Sequence, residues 1–336
     1  MKLKGQHLLS VKDLSLDVIE ALFSGAESMR PYATRQKSTR VLQGAILGNM
    51  FFEASTRTRI SFGSAFNLLG GSVRETTGLS SSALSKGESL YDTAHILSGY
   101  SDIICMRHPQ AGSVAEFAQG SRVPVINGGD GSNEHPTQAL LDLFTIQNEL
   151  KQQDKDIKEL SLTLMGDLKH GRTVHSLCQL LSLYSNLKIQ LVSPDALAMP
   201  GQYIDQLTNA GHQVEIFDKI EQGLPQANVI YQTRIQEERF SSQEEADLYR
   251  GSFRLNKKIY DQHCQPNAII MHPLPRDSRP QANELDNDLN NEQGLAIFRQ
   301  ADNGLLVRMA LFACILGVED QIKTYESKVK WYVGNK

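Results

Sequence analysis

Long apolar runs are missing from this chain, and with them any expectation of a membrane-spanning helix, which needs about 20 consecutive apolar residues. The N-terminus, Met1-Lys2-Leu3-Lys4-Gly5, lacks the apolar core of a secretory signal. Paired cysteines are missing too. Cys105, Cys178, Cys264 and Cys314 are scattered singly, without the CxxC spacing of a zinc site or the pattern of a disulfide framework. They read as small buried hydrophobes in a reducing, cytoplasmic setting, and neither a metal nor another cofactor is expected. Excess positive charge is absent, the net charge being −4, so nucleic acid is not an expected partner. A dinucleotide fingerprint is also lacking. Gly166-Asp167-Leu168-Lys169-His170-Gly171 follows a strand-like run and opens a helix, yet it has no GxGxxG spacing. Lys169 and His170 stand where a backbone would have to approach pyrophosphate.

What is present is an alternation of apolar strand-like runs and amphipathic helices over 336 residues, enough for two domains. Strands are predicted at Ala45–Phe52, Asp102–Met106, Val123–Asn127, Ser161–Met165, Lys188–Val192, Gln213–Phe217, Val229–Gln232 and Ala268–Met271. Helices are predicted at Leu16–Arg30, Ser55–Leu69, Glu88–Ser98, Thr137–Leu150, Gly171–Tyr184, Gly201–Asn209, Asn256–His263 and Gly304–Leu316. Such alternation implies βαβ units and an α/β fold of two doubly wound parallel sheets. The polar stretch Lys151–Asp156 is the expected linker.

The most informative segment is Phe51-Phe52-Glu53-Ala54-Ser55-Thr56-Arg57-Thr58-Arg59-Ile60-Ser61-Phe62. A buried strand breaks at Ser55, and the helix that follows stops at Gly70-Gly71. Ser55 stands at the N-cap, so the main-chain N–H groups of Thr56, Arg57 and Thr58 face outward at the positive end of the helix dipole. Three hydroxyls and two guanidinium groups add donors to a place already suited to an anion. An ordinary capped helix with solvated arginines is the competing reading, and this segment alone leaves both open.

Ser55-Thr56-Arg57-Thr58-Arg59 resembles the carbamoyl-phosphate motif of the aspartate and ornithine carbamoyltransferases. Further motifs of that family follow in order: Met106-Arg107-His108-Pro109, His135-Pro136-Thr137-Gln138, Gly166 through Ser176, Thr233-Arg234-Ile235-Gln236 and His272-Pro273-Leu274-Pro275-Arg276. The resemblance runs from about residue 6 to about residue 318. It implies transfer of a carbamoyl group from carbamoyl phosphate to L-aspartate in pyrimidine synthesis. Ser55, Thr56, Arg57 and Thr58 would hold the phosphate, with Arg107 bridging phosphate and carbonyl oxygen. Thr58, Arg107 and His135 would donate to that oxygen as it gains charge. Gln138 and the backbone carbonyls of Pro273 and Leu274 would meet the carbamoyl nitrogen and the attacking amine, an arrangement helped by a cis Leu274-Pro275 bond. Arg172, Arg234, Gln236 and Lys86 would hold aspartate, whose two carboxylates suit bidentate arginines. By the same resemblance the chain forms a homotrimer in which Ser82 and Lys86 enter the adjacent subunit's active site, and a regulatory chain is a possible partner. The domains implied are 1–150 with the C-terminal helix 303–336 for carbamoyl phosphate, and 151–302 for aspartate.

Two departures stand out. Ala54 takes the place of a common proline, which removes no ligand-contacting side chain. The Asn/Asp-rich segment 281–291 carries no assigned role. The rival ornithine branch has HCLP where this chain has His272-Pro273-Leu274-Pro275, so the thiol is absent. A non-catalytic phosphate-binding regulator is the other rival, though it would not need the carbonyl donors.

Overall fold

The structure is a computed structural model that describes residues 3–78, 85, 87–237, 240, 242–279 and 282–334. By packing, the chain divides into two compact units, residues 1–140 with 302–336 and residues 141–301. The first division falls within the helix Pro136–Gln152, ahead of the polar stretch Lys151–Asp156.

The strands, in chain order, are β1 (Lys37–Thr39), β2 (Ile46–Phe51), β3 (Ser72–Thr77), β4 (Ile103–His108), β5 (Val125–Asp130), β6 (Ser161–Met165), β7 (Lys188–Val192), β8 (Gln213–Phe217), β9 (Val229–Gln232), β10 (Ile269–Met271) and β11 (Glu326–Lys328). In the first unit a parallel sheet runs β3-β2-β4-β5. The buried runs Ile46–Phe51 and Ile103–His108 form its centre, as parallel strands covered on both faces require. In the second unit a parallel sheet runs β10-β9-β6-β7-β8. Both sheets therefore have a point where the chain order reverses, between β2 and β4 and between β6 and β9. An α/β sheet opens a crevice beyond the carboxyl ends of its strands at such points.

Three strands escaped the sequence pattern. β3 is polar and largely exposed at the sheet edge, so no apolar run marks it. β1 and β11 are three-residue strands paired antiparallel, Lys37 opposite Lys328. The last long helix spans Ile297–Leu316 and so begins earlier than the apolar run from Gly304 suggested. Its later turns belong to the first unit. There Phe312 packs edge-on against Phe66 and Phe62, at 5.0 and 6.0 Å between ring centroids. Arg308 lies 4.8 Å over the Phe62 ring and donates to Ser61 Oγ at 2.9 Å. All four cysteines are free thiols.

Candidate active site

In the first unit, three neighbouring strands end on the expected residues. β2 leads through Phe52-Glu53-Ala54 to Ser55, which caps the helix Thr56–Leu68 in an extended conformation and makes no side-chain capping bond. The hydroxyl and the first helical N–H groups thus remain available to a ligand. Arg57 is exposed and has no hydrogen-bond or ion-pair partner among the described residues. Partial burial lowers its pKa from the ordinary value. Arg59 behaves differently: its guanidinium pairs with Glu75 Oε2 on β3 at 2.6 Å. Residues two apart on a helix face different ways, so only one of the two arginines in the motif is left for an anion.

Arg107, next to last in β4, is buried; its guanidinium meets Glu53 Oε2 at 2.7 Å and donates to the Gly128 carbonyl at 3.3 Å. After β5 the chain turns around Asp130, only 2% exposed. Its carboxylate accepts from the N–H groups of Gly112 and Glu134, at 2.9 and 3.1 Å, and from the Asn133 amide at 3.0 Å. That loop delivers buried His135 to the start of the helix Pro136–Gln152, with half-buried Gln138 in its first turn.

In the second unit the same logic recurs at β6, β9 and β10. Gly166, just past β6, has φ +111°, and a Cβ there would sit 2.5 Å from the Thr233 carbonyl oxygen. Only glycine permits this approach of two loops. Asp167, fully buried, ties them: it accepts from the His170 main chain and ring, at 3.0 and 3.1 Å, and from the Gln236 N–H at 3.1 Å. Arg172 opens the helix Arg172–Leu181, while Arg234 and Gln236 lie half-buried in the loop after β9. Burial lowers the pKa of His175 on that helix, and its ring stacks on Tyr203 at 4.3 Å.

Beyond β10, His272 is locked in place. Its Nε2 donates to Glu284 Oε1 at 2.8 Å, its Nδ1 accepts from the Leu274 N–H at 2.8 Å, and its own N–H donates to Gln300 Oε1 at 2.9 Å. Gln300 in turn donates to Asp142 Oδ1 at 2.6 Å, and Tyr231 donates to the other oxygen at 2.7 Å. The Leu274-Pro275 bond is cis. The segment that carried no assigned role has one here. Glu284 holds His272, Asn290 accepts from Arg276 at 2.9 Å, and Asp286 pairs with Arg254.

Four acids with no role expected from the sequence organise these segments: Glu53 meets Arg107, Asp130 and Asp167 tie their loops through main-chain N–H groups, and Glu284 holds His272. The available signal for Glu53 and Asp167 is their position within the quoted motif segments. Ser82 and Lys86 lie outside the described residues, so their expected roles gain no structural account.

Residues 6–148 match the family description "Aspartate/ornithine carbamoyltransferase, carbamoyl-P binding domain", and residues 158–315 match its Asp/Orn binding domain. The aspartate carbamoyltransferase catalytic subunit of Saccharophagus degradans is 65% identical over 99% of this chain and 98% of its own length. That of Cellvibrio japonicus is 64% identical with the same coverage. Among solved structures, aspartate transcarbamoylase from Trypanosoma cruzi in complex with carbamoyl phosphate and aspartate superposes with a TM-score of 0.85 at 35% identity, covering 94% of this chain and 98% of that one.

Proposed function

The chain belongs to the aspartate/ornithine carbamoyltransferase family, and we propose a division of labour among its residues for the reaction it catalyses: transfer of the carbamoyl group of carbamoyl phosphate to the amine of L-aspartate, giving N-carbamoyl-L-aspartate and phosphate. The observation that carries this assignment is the end of β2. There, helix N–H groups, the Ser55 hydroxyl and the Arg57 guanidinium, which has no partner among the described residues, stand beside the adjacent strand that carries Arg107.

Ser55, Thr56, Arg57 and Thr58 hold the phosphate and stabilise it as it leaves. Arg107 reaches both phosphate and carbonyl oxygen, and its contact with Glu53 keeps the buried guanidinium oriented before substrate arrives. Thr58, Arg107 and His135 donate to the carbonyl oxygen in the tetrahedral intermediate. Each such donor is worth about 3 kcal/mol. Gln138, with the carbonyls of Pro273 and Leu274, orients the carbamoyl nitrogen and the amine. Arg172, Arg234 and Gln236 grip aspartate, with Lys86 contributed by a neighbour. The departing phosphate accepts the amine proton, so no side-chain base is required.

The domains we assign to the two substrates are 1–150 with 303–336 for carbamoyl phosphate and 151–302 for aspartate; the matched family segments 6–148 and 158–315 support the first boundary, and the packing of 302–336 with the first unit supports the second. A cytoplasmic homotrimer with Ser82 and Lys86 shared between subunits, open to a regulatory chain, completes the reading. The ornithine alternative loses support, because Pro273 replaces the thiol and the relatives named are aspartate enzymes.

The test is kinetic. Arg234→Ala should weaken aspartate use far more than carbamoyl phosphate binding, read by calorimetry beside aspartate saturation curves; equal damage to both would refute the role. For the shared site, inactive Arg57→Ala and Lys86→Ala chains should regain activity when mixed after mild dissociation, whereas verified mixed trimers that stay inactive would refute it.

A further inference from the structure

We propose that the cationic cavity beside the β1–β11 ribbon is a second anion site, separate from the catalytic one, that binds a small polyphosphate. The cavity measures about 750 Å³, within the usual range for small-molecule sites. Five cations line it, Arg35, Lys37, Arg40, Lys328 and Lys330, and no acid is among the described lining residues. The nearest compensation is Glu326, whose carboxylate meets Lys37 Nζ at 3.0 Å. Side-chain partners for Arg40, Lys328 and Lys330 are absent among the described residues.

The fold itself sets up this charge. Lys37 and Lys328 are direct cross-strand partners, and like charges placed opposite one another destabilise a ribbon. Main-chain bonds hold the arrangement regardless: the Arg40 N–H donates to the Tyr325 carbonyl at 3.2 Å, and Thr39 Oγ1 donates to that of Ile322 at 3.0 Å. Gly70, at φ +93°, lets the wall close in, since a Cβ there would stand 2.6 Å from Arg40 Cα. Ser64 and Asn67 contribute donors from the later turns of the helix that Ser55 caps, roughly 14 and 18 Å along it at 1.5 Å per residue. The carbonyls of that helix end offset about half a charge, which leaves most of the positive charge uncompensated. A multiply charged phosphate chain would relieve the repulsion and fill the volume.

Trp331 lines the cavity and is the only tryptophan in the chain, so its emission reports on this site alone. The intact protein, with its catalytic site saturated by carbamoyl phosphate, is titrated with tripolyphosphate, with ATP and with adenosine. Emission should change and saturate with both phosphate probes and stay flat with adenosine. Removing two of the charges, Arg40→Ser with Lys328→Ser, should raise Kd by at least about tenfold in calorimetry, while Lys328→Arg should bind as the parent does. Both variants should keep the parent's circular dichroism. Equal affinity for ATP and tripolyphosphate identifies an inorganic chain as the fitting ligand; tighter ATP binding that Trp331→Ala abolishes identifies a nucleoside polyphosphate. Emission indifferent to both phosphates, adenosine binding as well as ATP, or an unchanged Kd in the folded double variant would each overturn the proposal.

Discussion

In the first unit the residues assigned to phosphate, Ser55 to Thr58, are consecutive and stand on one helix start, so their relative placement is settled by four residues of local backbone. In the second unit, Arg172, Arg234 and the Pro273-Leu274 carbonyls come from three loops far apart in the chain. The loops beside them are tied by buried carboxylates, Asp167 through His170 and the Gln236 N–H and Glu284 through His272. The contiguous site thus depends on its own side chains, and the assembled one on acids that need touch no substrate. Damage should accordingly appear as lost turnover in the first case and as lost acceptor affinity in the second.

The largest expected effect tests the contiguous side. Arg57→Ala should lower turnover by about 10²–10³-fold at saturating carbamoyl phosphate, with unchanged circular dichroism. Near-parental rates would remove Arg57 from the phosphate site. Asp167→Asn tests the assembled side: it keeps the side-chain shape and removes a buried charge that accepts at least three hydrogen bonds. The KM for aspartate should rise by about 10–100-fold, the worth of a hydrogen bond to a charged group, while carbamoyl phosphate binding holds. Parallel losses in both would erase the contrast between the two sites.

Phe312→Ala asks how far the contiguous site relies on distant chain. The ring buttresses Phe62 and Phe66 on the helix that Ser55 starts, so stability in denaturant should fall by about 3–5 kcal/mol. The aspartate KM should stay put below the unfolding transition.

The smallest effect is a pH response common to both units. Burial pushes the Cys178 thiol up to about 12 and raises Cys105 further. In each case the folded chain keeps a proton that the unfolded chain sheds earlier. Stability should therefore be flat below the ordinary thiol value of about 8.5 and decline as pH climbs from there toward the folded values. Tyr32 and Tyr260, held near 12 chiefly by burial, add to the decline above about 10. A stability curve that rises with pH in that window would contradict the burial of these groups.

Period and punctuation made the central strands legible, because buried parallel strands are apolar runs and Gly70-Gly71 ends a helix unambiguously. β3 stayed hidden because an edge strand of Ser, Arg, Glu and Thr has no apolar face to betray it. The phosphate motif was readable since its geometry is local. The motif alone presents Arg59 as a second donor to an anion; its commitment to Glu75 depends on β3, which carries no apolar signature. Asp167 and Glu284 were missed for a related reason. A buried acid is recognisable by its partners, and those partners sit 69 and 12 residues away.

The four thiols have a practical consequence for anyone who wishes to watch this enzyme at work. Three are buried, and Cys264, half-covered, is pushed up to about 12, so native thiolate is scarce throughout. A single cysteine introduced at an exposed position such as Ile216 would outcompete all four for a maleimide dye. Site-specific fluorophores and spin labels can thus be attached without first stripping the natural cysteines from the chain.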